Sequence, residues 1–232
     1  STVLRVPTTS GPVWFKANSP QSRHEASVTA ILAARCPDLV PALLASEPVT
    51  GWMLQADAGQ WLRAATEESA WLDVWADVLP RYAELQLASR ADHEALRAVG
   101  VPEVTLESLP GRYVEILDVV GAEPRFREAL PEVERLCEEL ASFGLPDTIQ
   151  HDDLHDGQIF LADGRAALLD WGDACLSHPF FSLSVALDGV IAWGLRDVQD
   201  SVDVRPLRDA YLAPFREEYG DGLVPAVDIA LR

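Results

Sequence analysis

The stretch from His151 to Asp173, HDDLHDGQIFLADGRAALLDWGD, constrains this chain more than any other. Two apolar runs of strand length, Ile159-Phe160-Leu161-Ala162 and Ala166-Ala167-Leu168-Leu169, flank the dipeptide Asp163-Gly164. That dipeptide suits a two-residue hairpin turn, whose central residues both take positive φ. A hairpin closed there brings Gln158, at its open end, beside Asp170. Polar groups separated along the chain then meet in one place, which is how a metal or phosphate site is built.

The rest of the composition narrows the setting. At 232 residues the chain has room for one large domain or two lobes, since domains usually run ~100–200 residues. With 48% apolar residues and seven tryptophans it can bury a sizeable core. No apolar run approaches the ~18 residues that cross a bilayer, and no basic-then-apolar signal segment opens the chain. Cys36, Cys137 and Cys175 are odd in number and far apart. They fit neither a disulfide framework nor a zinc site, and read as reduced thiols of a cytoplasmic protein. Lys and Arg total 18 against 37 Asp and Glu, a net charge of −19. Such a surface repels nucleic acid and anionic membrane, and either aids solubility or draws in a cationic partner.

Residues 1–58 read as a first lobe. Thr2–Val6 and Val13–Ala17 form an antiparallel pair across a Pro- and Gly-containing linker, with Lys16 near the end of the second strand. A helix runs from Ser22 to about Cys36, with Val28, Ile31 and Leu32 on its apolar face and Pro37 and Pro41 beyond its end. Ser22 and Glu25 have capping-box spacing. Gly51–Gln55 is another strand, and Ala56-Asp57-Ala58-Gly59 a hinge.

Residues 59–232 read as a mostly helical second lobe with one embedded hairpin. Leu72, Trp75, Leu79, Tyr82 and Leu85 have helical spacing, with Glu67, Glu68 and Asp73 near the start. Pro80 is expected to kink or split that helix. Further helices are expected over Pro131–Ser142, with Gly144 as C-cap, over 101–122, over Phe180–Trp193 and over Val204–Tyr219.

The central stretch supplies the chemistry. A carboxylate at Asp153, in the loop before the hairpin, can accept a proton from a substrate hydroxyl. Gln158 and Asp170 offer hard oxygen donors suited to Mg²⁺. A base, an amide, a carboxylate and a lysine from another lobe are the parts used in phosphoryl transfer from a nucleotide.

These residues resemble a known signature. His151-x-Asp153, His155, Gly157 and Gln158, followed by Leu168-Leu169-Asp170-Trp171-Gly172, are similar to H-G-D-L-H-x-G-N and I-D-W-G/E of aminoglycoside phosphotransferase-like small-molecule kinases, the choline kinases included. The resemblance implies an α+β, protein-kinase-like fold of two lobes, a small antiparallel nucleotide-binding sheet and a helical catalytic and acceptor-binding lobe. It implies ATP or GTP and Mg²⁺ as cofactors and a small-molecule hydroxyl acceptor, such as an aminoglycoside or amino sugar. Asp153 would be the catalytic base and His151 its brace. Gln158 and Asp170 would hold magnesium, Lys16 would meet the α/β-phosphates with Glu25 as its partner, and Gln55–Asp57 would face the base.

Three positions depart from the pattern. Gln158 stands where the related sequences have asparagine. One extra methylene moves the amide oxygen by about 1.5 Å, in a reaction where misplacement of that order costs ~10²-fold. No glycine-rich loop precedes the first strand. Ser182, in His178-Pro179-Phe180-Phe181-Ser182-Leu183, stands where D-P-x-x-D-L has an acidic hydrogen-bond acceptor. The alternative these departures support is a catalytically weakened, pseudokinase-like nucleotide- or ligand-binding protein. A third reading makes His151, Asp152, Asp153 and His155 ligands of a metal-dependent hydrolase.

Overall fold

The computed structural model describes residues 1–232, except the side chain of Glu68, so that part of the expected acidic helix start lies outside the described residues. Strands β1 (Thr2–Thr8) and β2 (Gly11–Ala17) pair antiparallel from Thr2↔Ala17 to Thr8↔Gly11. Helix α1 (Glu25–Arg35) follows, then β3 (Leu43–Glu47) and β4 (Trp52–Ala56). The four strands make one antiparallel sheet in the order β1-β2-β4-β3. β3 has no signature in the sequence. It is a largely exposed edge strand between Pro41 and Pro48, so nothing forces its side chains to alternate.

The expected capping box does not form. α1 begins at Glu25 rather than Ser22, and its cap residue His24 makes no capping hydrogen bond with its side chain. Ser22 instead ends a short 3₁₀ turn, with its own amide held by Ser19 Oγ at 3.4 Å.

Past Gly59 the chain continues as β5 (Gln60–Trp61), α2 (Leu62–Ala65), α3 (Trp71–Ser89), α4 (His93–Ala98), β6 (Glu103–Val104), α5 (Leu109–Val120), α6 (Pro124–Arg127) and α7 (Leu130–Ala141). Then come β7 (Thr148–Gln150), β8 (Ile159–Ala162), β9 (Arg165–Leu168), β10 (Cys175–Ser177), α8 (Arg205–Tyr219) and α9 (Val224–Ala230). α3 is the spine of this part. Trp75, Val78, Leu79, Tyr82 and Leu85 are fully buried in the main apolar core, which α8 closes through Tyr211, Leu212 and Phe215.

Pro80 does not split α3. Losing one helical hydrogen bond costs about 3 kcal/mol, whereas each large side chain buried on the flanking turns returns ~1.5–3 kcal/mol. Gly144 takes the left-handed φ of +67° expected of it, two residues beyond the cap Ser142. The 101–122 segment is helical only from Leu109, because Glu103–Val104 pairs parallel with β10. β10 also pairs antiparallel with β7, so a second three-stranded sheet, β6-β10-β7, accompanies the hairpin. Strands of two or three residues are too short to show a period. Phe180–Trp193 is buried as expected but is not an α-helix. It forms a π-helical segment, Ser184–Val190, and a 3₁₀ turn, Ile191–Trp193. An apolar run dictates burial, and burial alone does not set the pitch.

The central hairpin closes as its turn residues require. Ile159↔Leu168 through Ala162↔Arg165 are in register, and Asp163 and Gly164 take φ of +51° and +74°. β5 adds a third strand through Gln60↔Leu161 and Trp61↔Phe160. Gly59, entering β5 at φ +91°, would place a Cβ 2.0 Å from the Leu161 carbonyl oxygen, so only glycine fits. Among the described residues no helix is long and apolar enough to cross a membrane, and the three cysteines are free thiols.

Candidate active site

A cleft of about 200 Å³ opens between the four-stranded sheet and the hairpin, lined in part by Trp14, Lys16, Glu25, Gln55, Gln158 and Asp170. Lys16 enters it from β2 and is 8% exposed. Its Nζ donates to Glu25 Oε1 and to Asp170 Oδ1, each at 2.7 Å. Burial alone would lower the lysine's pKa, but the two carboxylates together outweigh it and hold Lys16 protonated. Glu25 is more deeply buried still. Burial pushes its carboxyl up to about 7 against the pull of Lys16. The cap position expected of Glu25 is thus vacated because its carboxylate reaches across to the strand lysine.

The open end of the hairpin fixes the other wall. The Leu169 amide donates to the Gln158 carbonyl at 2.9 Å, one step past the last ladder pair, and Asp170 follows in a left-handed conformation at φ +64°. His151 reaches the same segment. A carbonyl can only accept, so His151 Nε2 carries the proton it donates to Leu169 O at 2.8 Å. Its Nδ1 is buried without a partner, burial lowers its pKa, and the ring lies 4.7 Å from that of Trp171. His151 is therefore a neutral strut between the loop that carries Asp153 and the residue before Asp170.

Asp153 itself is about half exposed, with Oδ2 accepting from Gln158 Nε2 at 3.2 Å. His155 Nε2 lies 3.5 Å from the same oxygen, and its Nδ1 accepts the Gly157 amide at 3.0 Å. A Cβ on Gly157 would sit 2.5 Å from the His155 ring, so any other residue there displaces that ring from the Gly157 amide. Asp152, where the related motif has glycine, adopts φ +64°. The residue is exposed at the surface, and its carboxyl is pushed up by partial desolvation, then by Asp173 and Asp153.

At the far end of the cleft Gln55 is 8% exposed. Asp57 Oδ1 accepts from Trp14 Nε1 and from the Gly59 amide, each at 3.1 Å, so this side chain holds the hinge turn. The structure thus brings Lys16, Glu25, Gln158 and Asp170 into one cleft, with Gln55 and Asp57 along its rim and Asp153 and His151 on the adjoining loop.

One contact was not anticipated. Arg63, on α2, forms an ion pair with the buried Asp156 and so braces the turn between Asp153 and Gln158. An arginine just past the hinge of so acidic a chain was the available signal.

Two oxygens suit a hard cation. Asp170 Oδ2 and Gln158 Oε1 take no hydrogen bond among the described residues, and both residues line the cleft. No group of three or more His, Cys, Asp or Glu side chains forms a metal cluster among the described residues, which removes support from the hydrolase reading.

No curated protein matches the sequence. Among solved structures, a choline/ethanolamine kinase family protein from Mesorhizobium loti is 18% identical, with 86% of this chain and 63% of that one covered at a TM-score of 0.57. The chain therefore spans less than two thirds of that relative's length. A Plasmodium vivax ethanolamine kinase is 14% identical, covering 99% of this chain and 69% of that one at a TM-score of 0.69. A GDP complex of aminoglycoside 2′-phosphotransferase-IIIa is 14% identical, covering 100% and 82% at a TM-score of 0.60. These likenesses show a protein-kinase-like fold. The family model described as the phosphotransferase enzyme family, APH, matches residues 1–225, and the chain belongs to that family.

Proposed function

We propose that this protein transfers the γ-phosphoryl group of ATP or GTP to a hydroxyl of a small molecule, with residues 1–58 as the nucleotide-binding lobe and 59–232 as the catalytic and acceptor-binding lobe. The observation that carries this reading is Lys16, whose ammonium bridges Glu25 and Asp170 in a cleft between the two. A buried cation facing an open cleft, with its charge secured from two sides, is suited to α- and β-phosphate oxygens. Its neighbours fit around that role. Glu25 holds the lysine in place, the 55–57 backbone offers hydrogen bonds to the base, and Trp14 and Phe160 provide apolar walls.

Asp153 accepts the proton of the acceptor hydroxyl. Its Oδ2 is oriented by the Gln158 amide, and its half-exposed position lets an acceptor approach. His151 keeps the Asp153 loop in register with Asp170. Gln158 and Asp170 would hold a magnesium ion, which when bound supplies charge neutralisation at the β- and γ-phosphates.

Relatives of this fold include proteins named for ethanolamine and aminoglycosides. The net charge of −19, with Asp152 close to both Asp153 and Asp173, favours a cationic acceptor here. The test is ADP release with ATP or GTP, Mg²⁺ and a panel of amino alcohols, amino sugars, aminoglycosides and macrolides. Turnover that disappears in Asp153→Asn while nucleotide binding persists supports the reading. A chain that binds nucleotide and turns over no acceptor would instead be the weakened, pseudokinase-like binder.

A further inference from the structure

Position 182 lacks the acidic acceptor that the related motif carries, yet the loop ahead of Asp153 does not lack an acceptor. The His151 amide donates to Tyr82 Oη at 3.0 Å, and the Asp152 amide lies 3.5 Å from Ser182 Oγ. Tyr82 Oη donates to Ser182 Oγ at 2.8 Å, and Ser182 Oγ donates to Gln150 Oε1 at 2.9 Å. The Ser182 amide reaches the same oxygen at 3.2 Å. Two donors on one amide oxygen fix the orientation of Gln150, and its Nε2 points to Thr148 Oγ1 at 2.9 Å. Every proton in the series therefore has one direction, from the loop amides through two hydroxyls to Gln150. Tyr82, Gln150, His151 and Ser182 are each 0% exposed.

We propose that Tyr82, Ser182 and Gln150 are positioning residues for the Asp153 loop, with Gln150 Oε1 as the terminal acceptor missing from position 182. The proposal rests on the phosphotransferase reading for its catalytic consequence only. Asp152 sits at φ +64°, a conformation a non-glycine residue keeps only when its surroundings impose it. The imposed contacts are those on either side of it, the Tyr82 and Ser182 hydroxyls on the amides and the His151 ring on Leu169 O. Removing the Tyr82 hydroxyl leaves the buried His151 amide without a partner, removing the Ser182 or Gln150 group unseats the hydroxyls that hold both amides, and the loop shifts in response. Asp153 then moves with the loop.

The variants are Tyr82→Phe, Ser182→Ala, Gln150→Leu and the double Gln150→Leu/Ser182→Asp, which returns the acceptor to the position used in the related motif. The first measurement is amide hydrogen exchange over 150–153 under native conditions. The wild type should protect the His151 and Asp152 amides, and each single variant should lose at least ten-fold protection there while distant core amides keep theirs. The second is kcat against KM for ATP in the ADP-release assay. Each single variant should lose about ten- to a hundred-fold in kcat with KM for ATP within two-fold, and the double variant should recover kcat relative to Gln150→Leu. Unchanged exchange at His151 and Asp152 overturns the proposal. So does a kcat that stays at wild-type level in the single variants, or a double variant no better than Gln150→Leu. A wild-type protein with no ADP release on any acceptor refutes the phosphotransferase reading instead, and the exchange result still decides whether the relay holds the loop.

Discussion

His178 allows a quantitative test of how this chain is held together. It stands where the related motif begins with aspartate, and it is 1% exposed between the rings of Phe180 and Phe181. Its Nδ1 accepts the Phe180 amide at 3.4 Å and its Nε2 has no partner, so the folded protein holds it neutral. Burial depresses its pKa from 6.5 to about 3. As pH falls below 6.5 the unfolded chain takes up this proton and the folded chain refuses it. The stability it secures is therefore complete above pH 6.5 and is lost as pH falls toward 3. The full span is worth ~5 kcal/mol, and at pH 5 the loss is about 2 kcal/mol.

His178→Asn keeps an acceptor near Nδ1 and cannot titrate. Urea unfolding of both proteins at pH 7 and pH 5 gives four free energies. The wild type should lose about 2 kcal/mol more than the variant between the two. Any cost of the substitution itself is present at both pH values and cancels, as do the contributions of His24, His93 and His151. An equal gap between wild type and variant at pH 7 and pH 5 would refute the reasoning.

Other perturbations probe the site directly. Lys16→Met leaves Glu25 buried without its cation; triphosphate affinity measured by calorimetry should fall at least ten-fold, and Glu25 should go protonated at neutral pH. Gln158→Asn draws the amide oxygen back by about 1.5 Å to the position used by related sequences, and kcat in the ADP-release assay should rise if that oxygen meets the metal, by up to ~10²-fold. The same change lengthens the contact to Asp153, so an unchanged or lower kcat would show that the Gln158–Asp153 bond matters more. Gly59→Ala forces a Cβ against the Leu161 carbonyl at φ +91° and should destabilise the protein by more than about 3 kcal/mol in thermal or urea unfolding, with loss of soluble expression as the extreme result.

Much of the candidate site's geometry was legible because local chemistry dictated it. Asp163-Gly164 admits few turns, and once that turn is placed the pairing of Gln158 with the Asp170 segment follows. Lys16 and Glu25 were legible only as candidates, since a strand-end lysine is usually solvated and Ser22 offered Glu25 a competing role. Tertiary contact decided between them, because a buried ammonium attracts a nearby carboxylate more strongly than an exposed backbone amide does. The short strands β6, β7 and β10, the edge strand β3 and the π-helical segment after Phe181 left no periodic trace. Their positions are set by neighbours distant in sequence. Tyr82 and Gln150 were hidden for a related reason: one reads as core aromatic and the other as an ordinary polar residue, until the fold places Ser182 between them.

The close approach at Gly172 bears on how the two walls of the cleft are spaced. A side chain there would press on Ser22 Cβ and on Glu25 Oε2, both at 3.2 Å, so the start of α1 and the 3₁₀ turn before it rest directly on the backbone just past Asp170. The two segments are far apart in sequence and meet here by packing. The junction is a backbone-to-side-chain fit with no room for a larger residue unless its neighbours shift. A methyl group at position 172 would make Ser22 and Glu25 give by a few tenths of an ångström, and Glu25 is the carboxylate that holds Lys16, so the backbone past Asp170 gauges the place of the lysine's partner as well as that of Asp170 itself.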